Sequence, residues 1–138
     1  MFINTNDFEL ENAEGKTIPV SLRLSIGAQV QLKKKWKETT TSTLFNAVDD
    51  VERFIDIMDA SLKFKGNTNE IKSGEDLVDL MAANDMLGMV AKQTLLTSIG
   101  RASGLFSADE KDRIDARAKK AIDGIFEEDE AETEEKNA

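Results

Sequence analysis

The sequence has no cysteine, no histidine and no tyrosine, and only one proline and one tryptophan. Without cysteine there are no disulfides, no thiolate nucleophile and no cysteine-ligated zinc or iron–sulfur centre. Without histidine the commonest general base and the commonest transition-metal ligand are missing, so an enzyme would have to work with carboxylates, lysine or serine. No apolar run approaches the roughly 20 residues of a membrane-spanning helix, and the opening MFINTNDFEL lacks the basic-then-apolar pattern of an export signal. A cytosolic, non-enzymatic protein that uses no membrane is therefore expected. No internal repeat and no phosphate-cradling glycine loop occurs.

What is present fits one small, helix-rich domain. The chain has 138 residues, 40% of them hydrophobic and 33% charged, enough for a single modest core. Its net charge is −9, of which −6 falls in residues 127–138, leaving −3 for residues 1–126. A near-neutral body with an acidic appendix argues against nucleic acid as partner, because phosphate binding needs positive surface. The one basic cluster, Lys33-Lys34-Lys35-Trp36-Lys37, reads better as a helix C-terminus whose lysines complement the macrodipole while the tryptophan packs inward.

In chain order, Phe8–Glu11 and Ile18–Leu24 alternate apolar and polar residues around the turn Asn12–Lys16, which predicts a β-hairpin with Pro19 at an edge or a strand start. Its face with Val20, Leu22 and Leu24 must lie on helices or pair with another chain. Ser25 is positioned to cap a helix over 26–37 with Ile26, Val30 and Trp36 inward. The hydroxyl-rich run Thr39–Thr43 predicts a break, with Ser42 or Thr43 as the next cap. Thr43–Lys65 then predicts a long central helix with the stripe Val48, Val51, Ile55, Met58 and Leu62, widened by Leu44, Phe54 and Ile57. Asp49, Glu52, Arg53, Asp56 and Asp59 form its polar face, and Gly66-Asn67 its stop.

Beyond the loop, Ser73–Asp76 has capping-box spacing before Leu77, Val78, Leu80 and Met81. Asn84-Asp85 can cap a further helix from about Met86 to Ser103, either separate from the preceding one or joined to it by a kink. Gly104 ends that segment, and Ser107–Glu110 is a better capping box for a last helix to about Phe126, carrying Ile114, Ala118, Ala121, Ile122 and Ile125. Residues 127–138 have no apolar anchor and are expected to be a disordered tail. The fold expected is thus mainly α, with four to five helices and an N-terminal hairpin over 1–126.

Residues able to carry chemistry do not assemble into a motif. Asp49-Asp50 and Glu75-Asp76 lack the spacing of a calcium loop, and Lys92 and Ser98 have no companion base. No catalytic, cofactor or metal residue is assigned. The methionines carry more information, because methionine is flexible and is over-used on surfaces that accept several partner sequences. Met58 and Met86 fit core positions, whereas Met89 falls off the main stripe of its helix and is the better exposed contact.

The layout as a whole resembles the tail assembly chaperones of long-tailed bacteriophages and prophages, especially those of Gram-positive hosts. The resemblance runs through Leu22-Arg23-Leu24-Ser25 into a helix with a basic end, the long central helix, Ile71–Leu80, and Ser98–Leu105. It covers about residues 8–126 and implies a non-enzymatic helical domain in the host cytoplasm, absent from the mature virion. Such a domain binds the tape measure protein, keeps it soluble and recruits tail tube subunits that displace it. A groove for an amphipathic client helix is then expected, with Phe54, Met58, Leu77, Met81 and Met89 as its candidate lining and weak self-association a further possibility. The rival expectation is another phage assembly protein, a head–tail connector or a scaffolding-type protein.

Many members of that family are also made in a longer form by ribosomal frameshifting, through which tube subunits are recruited. Glu135-Lys136-Asn137 is compatible with codons GAA AAA AAC, which contain the slippery heptamer A-AAA-AAC, and the acidic tail would then be a linker. The expected outcome is that the gene carries this heptamer; codons unable to form it would remove the support these residues lend to a frameshifted form.

Overall fold

Alternation and turn chemistry build the first element. The computed structural model describes residues 6–64, 67 and 70–137, the last of these (126–137) by backbone alone. Strands β1 (Asp7–Glu11) and β2 (Thr17–Ser21) pair antiparallel with Leu10 opposite Ile18 and Phe8 opposite Val20. Asn12 and Lys16 close the turn, and Gly15 occupies the left-handed region at φ 81°, which glycine enters without a Cβ penalty. Leu10, Val20, Leu22 and Leu24 are buried in the core, so the hairpin lies on helices, one of the two arrangements its pattern allows. Pro19 sits opposite Glu9.

Two asparagines hold the outer edges of the hairpin. The Asn84 amide accepts from the Glu11 N–H and donates to the Glu11 carbonyl, both at 3.0 Å. The Asn67 amide does the same for Ser21, at 2.8 and 2.6 Å. Each side chain stands in for a neighbouring strand, satisfying edge groups that would otherwise offer a template for another chain.

Six helices follow among the described residues: α1 (Ile26–Trp36), α2 (Thr40–Asn46), α3 (Val51–Leu62), α4 (Gly74–Ala83), α5 (Met89–Ala102) and α6 (Ala108–Asn137). Ser25 caps α1 by accepting from the Ala28 N–H, and Lys37 ends it in a left-handed conformation after three lysines in the last turn. Ile26 and Val30, expected inward, face outward instead (Ile26 is 73% exposed), and the buried residue is Leu32. Trp36 packs against the core from a half-buried position.

The expected helix over Thr43–Lys65 is two helices. Thr39, not Ser42 or Thr43, caps α2, accepting from the Ser42 N–H, so the threonine run becomes helical. The break comes at Asp50, whose side chain accepts from the N–H groups of Glu52 and Arg53 and starts α3 afresh. A new start rotates the stripe. Phe54, Ile57, Met58 and Ser61 are the buried residues of α3, at the i, i+3, i+4, i+7 spacing, while Val51 is 65% exposed. Phe54 and Ile57, expected to widen the stripe, are at its centre, while Leu44 belongs to α2. Lys65, the expected end of the helix, and Gly66 of the expected stop lie outside the described residues.

Helix α4 buries Gly74, Leu77, Val78 and Met81 against α3, with the Ser73 hydroxyl accepting from the Asp76 N–H. Chain reversal at Asn84-Asp85, with Asp85 at φ 56°, separates α4 from α5, which is capped by Gly88 rather than Asn84 or Asp85. Met86 is buried within this turn. A Schellman motif closes α5: Leu105 N–H donates to the Gly100 carbonyl and Gly104 N–H to that of Arg101, with Gly104 at φ 84°. Helix α6 runs past the expected end near Phe126 to Asn137; the disorder expected of 127–138 concerns residues whose side chains are outside the description. Among the described residues no helix is long and apolar enough to cross a membrane.

The tightest packing point is Gly74. A Cβ there would stand 2.3 Å from the Ile55 carbonyl oxygen and 2.5 Å from the Asp59 nitrogen, both backbone atoms of α3. Gly74→Ala is therefore expected to destabilise the fold by about 1–3 kcal/mol through overpacking, read as a lower urea midpoint. Gly124→Ala, where a Cβ meets nothing within 4 Å, should be neutral or stabilising by up to about 1 kcal/mol. Equal midpoints for the two variants would overturn the close contact.

Candidate functional site

The residues expected to line a groove lie in the core. Phe54, Met58, Leu77 and Met81 are all buried in one cluster where α3 meets α4, and Met89 is half-buried at the start of α5. The structure thus joins four of the five, with no open face, so a partner would reach them only by separating α3 from α4.

An open apolar groove lies elsewhere, with a volume of about 460 Å³, between the end of α2, α5 and α6. Phe45 forms one wall and Ile114, Ala118 and Ala121 the other, with Gln93 from α5 and Glu110, Arg113 and Arg117 also lining it. Phe45 is 40% exposed, and its ring contacts Phe106 with centroids 5.9 Å apart. Phe106 in turn sits where a side chain at Gly100 would be: a Cβ there would come 2.4 Å from the ring. Gly100 therefore admits Phe106, and Phe106 supports Phe45.

Polar contacts set the position of the α6 wall. The buried Thr97 hydroxyl bonds to the Asp115 carboxylate, which also pairs with Lys111. Ser107 and Glu110 cap the helix reciprocally, each N–H donating to the other's side chain at 3.1 Å. Arg113 and Arg117 are exposed, and among the described residues neither has a carboxylate at ion-pair distance. The groove is therefore apolar, with two arginines and one carboxylate, Glu110, on its rim.

A second charged cluster is structural. Arg53 lies over the Trp36 ring at 4.5 Å, donates to Glu38 at 3.0 Å and pairs with Asp50. Lys35 pairs with Asp56 at 2.7 Å. These contacts tie α1 to α3 and engage part of the basic cluster 33–37 inside the chain. Among the described residues no group of three or more acidic side chains is arranged to hold a metal ion.

Sequence reasoning missed Phe45, Arg113 and Arg117, and placed Ile114, Ala118 and Ala121 at helical spacing on the last helix without giving them a partner. The signal was the steps of four and three residues from Ile114 to Ile125, flanked by Arg113, Arg117 and Lys120.

Two caps carry a pH dependence. The Arg53 backbone N–H bond holds Asp50 below its ordinary pKa, and the Ser107 N–H bond does the same for Glu110. A folded pKa below the unfolded one contributes stability that is present above the unfolded carboxylate value, near 4, and is lost as pH falls through the folded value. Acid titration of the urea midpoint should show a decline below about pH 4 that Glu110→Gln makes shallower. Ser107→Ala is expected to cost about 1 kcal/mol at neutral pH; an unchanged midpoint would exclude the cap as a stabilising contact.

Protein-family models, curated proteins and solved structures yielded no match to this chain.

Proposed function

We propose that this chain is a tail assembly chaperone of a long-tailed bacteriophage or prophage, holding helical segments of the tape measure protein soluble in the host cytoplasm before the tube forms. The observation that carries the reading is the open apolar groove of Phe45, Ile114, Ala118 and Ala121 with the exposed arginines Arg113 and Arg117 beside it. An amphipathic helix laid there buries apolar anchors against Phe45 and α6 while acidic neighbours meet Arg113 and Arg117. One such contact is weak, because a single groove of about 460 Å³ covers only a small part of a helix. Many copies bound along one very long client give high occupancy, yet each can be released singly, as displacement by tail tube subunits requires. The lack of histidine and cysteine and the resemblance in layout support a binding role over a catalytic one. The groove residues replace Phe54, Met58, Leu77 and Met81 as the contacts for the client.

Co-expression with the tape measure protein of the same phage is the test. The long protein should move from the pellet to the soluble fraction, and Phe45→Ser or Ala121→Glu should return most of it to the pellet while leaving the circular dichroism unchanged. If its solubility does not improve with the unaltered chain, the proposal fails.

A further inference from the structure

Helix α6 is unequally charged along its length. Arg113, Arg117 and Lys120 recur at i, i+4 and i+7 and form one stripe. Beside it Ile114, Ala118, Ala121 and Ile125 step by four, three and four residues, the spacing of a two-helix seam. Packing on α5 does not use up this seam: among the described residues of α6 Ile122 is the buried one, whereas Ala121 is exposed and Ile125 is 49% exposed. Residues 127–135 then contain seven acids and no cation.

We infer that the groove also takes the acidic segment Phe126–Glu135 of a second copy of this chain, in a reciprocal two-fold pairing. Charge complementarity selects this occupant, since the seven acids of 127–135 match the stripe Arg113, Arg117 and Lys120. The chain's own segment cannot reach its own groove. The backbone of α6 continues unbroken from the groove residues to Asn137, and no glycine or proline follows Gly124 to turn it back. An antiparallel second copy returns the segment to the stripe, and two-fold symmetry makes the contact twice.

The pairing also relieves a local conflict. Acids at a helix C-terminus oppose the macrodipole, and the pairs Glu128/Glu132 and Glu130/Glu134 place like charges at i, i+4. Cations of the second copy offset both. The pair would leave the groove self-occupied until a client displaces the acidic segment. This inference shares its groove with the chaperone reading, but self-association is measured with no client present, so either can fail while the other stands.

Sedimentation equilibrium of the full chain tests it. A dimer is expected at about 50 mM salt, with its dissociation constant raised roughly tenfold or more at about 500 mM. A chain carrying Arg113→Glu, Arg117→Glu and Lys120→Glu should be monomeric, as should a second chain carrying Glu128→Lys, Glu130→Lys and Glu132→Lys. An equimolar mixture of the two should restore a dimer, since each then offers what the other's groove lacks, and that rescue also shows both variants to be folded. A monomer at low salt across the accessible concentrations, a dimer indifferent to salt and charge reversal, or a mixture that stays monomeric would each overturn the pairing.

Discussion

The close approach of α4 to α3 at Gly74 is the contact on which the rest depends. With no side chain there, the first turn of α4 rests on the backbone of α3, its N–H donating to Asp59 at 3.0 Å. That approach lets Leu77 and Met81 meet Phe54 and Met58 in one buried cluster. Each large apolar side chain so buried contributes about 1.5–3 kcal/mol, which makes this cluster the centre of the core. It also places Asn84 at the end of α4 where its amide meets Glu11, while Asn67, on the connection into α4, meets Ser21. The hairpin, too small to stand alone, is thus fastened to the helices both by its apolar face and by its edges.

The groove arises because, among the described residues, α6 packs chiefly on α5 while α2 ends nearby. Gly100 admits Phe106, Phe106 supports Phe45, and the Thr97–Asp115–Lys111 contacts hold α6 at a distance that leaves Phe45 half-covered. Two of the stretches that carry the resemblance, Ile71–Leu80 and Ser98–Leu105, each contain a glycine that a neighbouring element occupies. Their first role is packing. At Gly100 that packing seats Phe106, which in turn contacts the groove residue Phe45.

Much of the fold was legible in the chain because local chemistry acts at short range. The Asn12–Lys16 turn, the Ser25 and Ser73 caps, the Ser107–Glu110 capping box and the Gly104 stop all depend on residues within a few positions of one another. The break between α2 and α3 was less visible. Asp50 lies within a helical pattern, and an aspartate there is equally compatible with a solvated face. Only its bonds to the Glu52 and Arg53 amides make it a cap, and that cap turned Val51 outward and moved Phe54 to the centre of the buried stripe.

The candidate site was the less legible part, since the apolar stripes of α3, α4 and α6 look alike in one dimension. Periodicity shows that a helix has an apolar side, and says nothing of whether another helix covers it. The sequence by itself determined a mainly helical chain with an N-terminal hairpin, no cysteine or histidine chemistry, and an acidic C-terminal segment, because composition, turn residues and caps act locally. Tertiary structure alone decided that Phe54, Met58, Leu77 and Met81 are covered while Phe45, Ile114, Ala118 and Ala121 line an open groove. The physical reason is that burial belongs to pairs of surfaces, and which surfaces meet was set by a glycine at one crossing and a phenylalanine seated on a glycine at another.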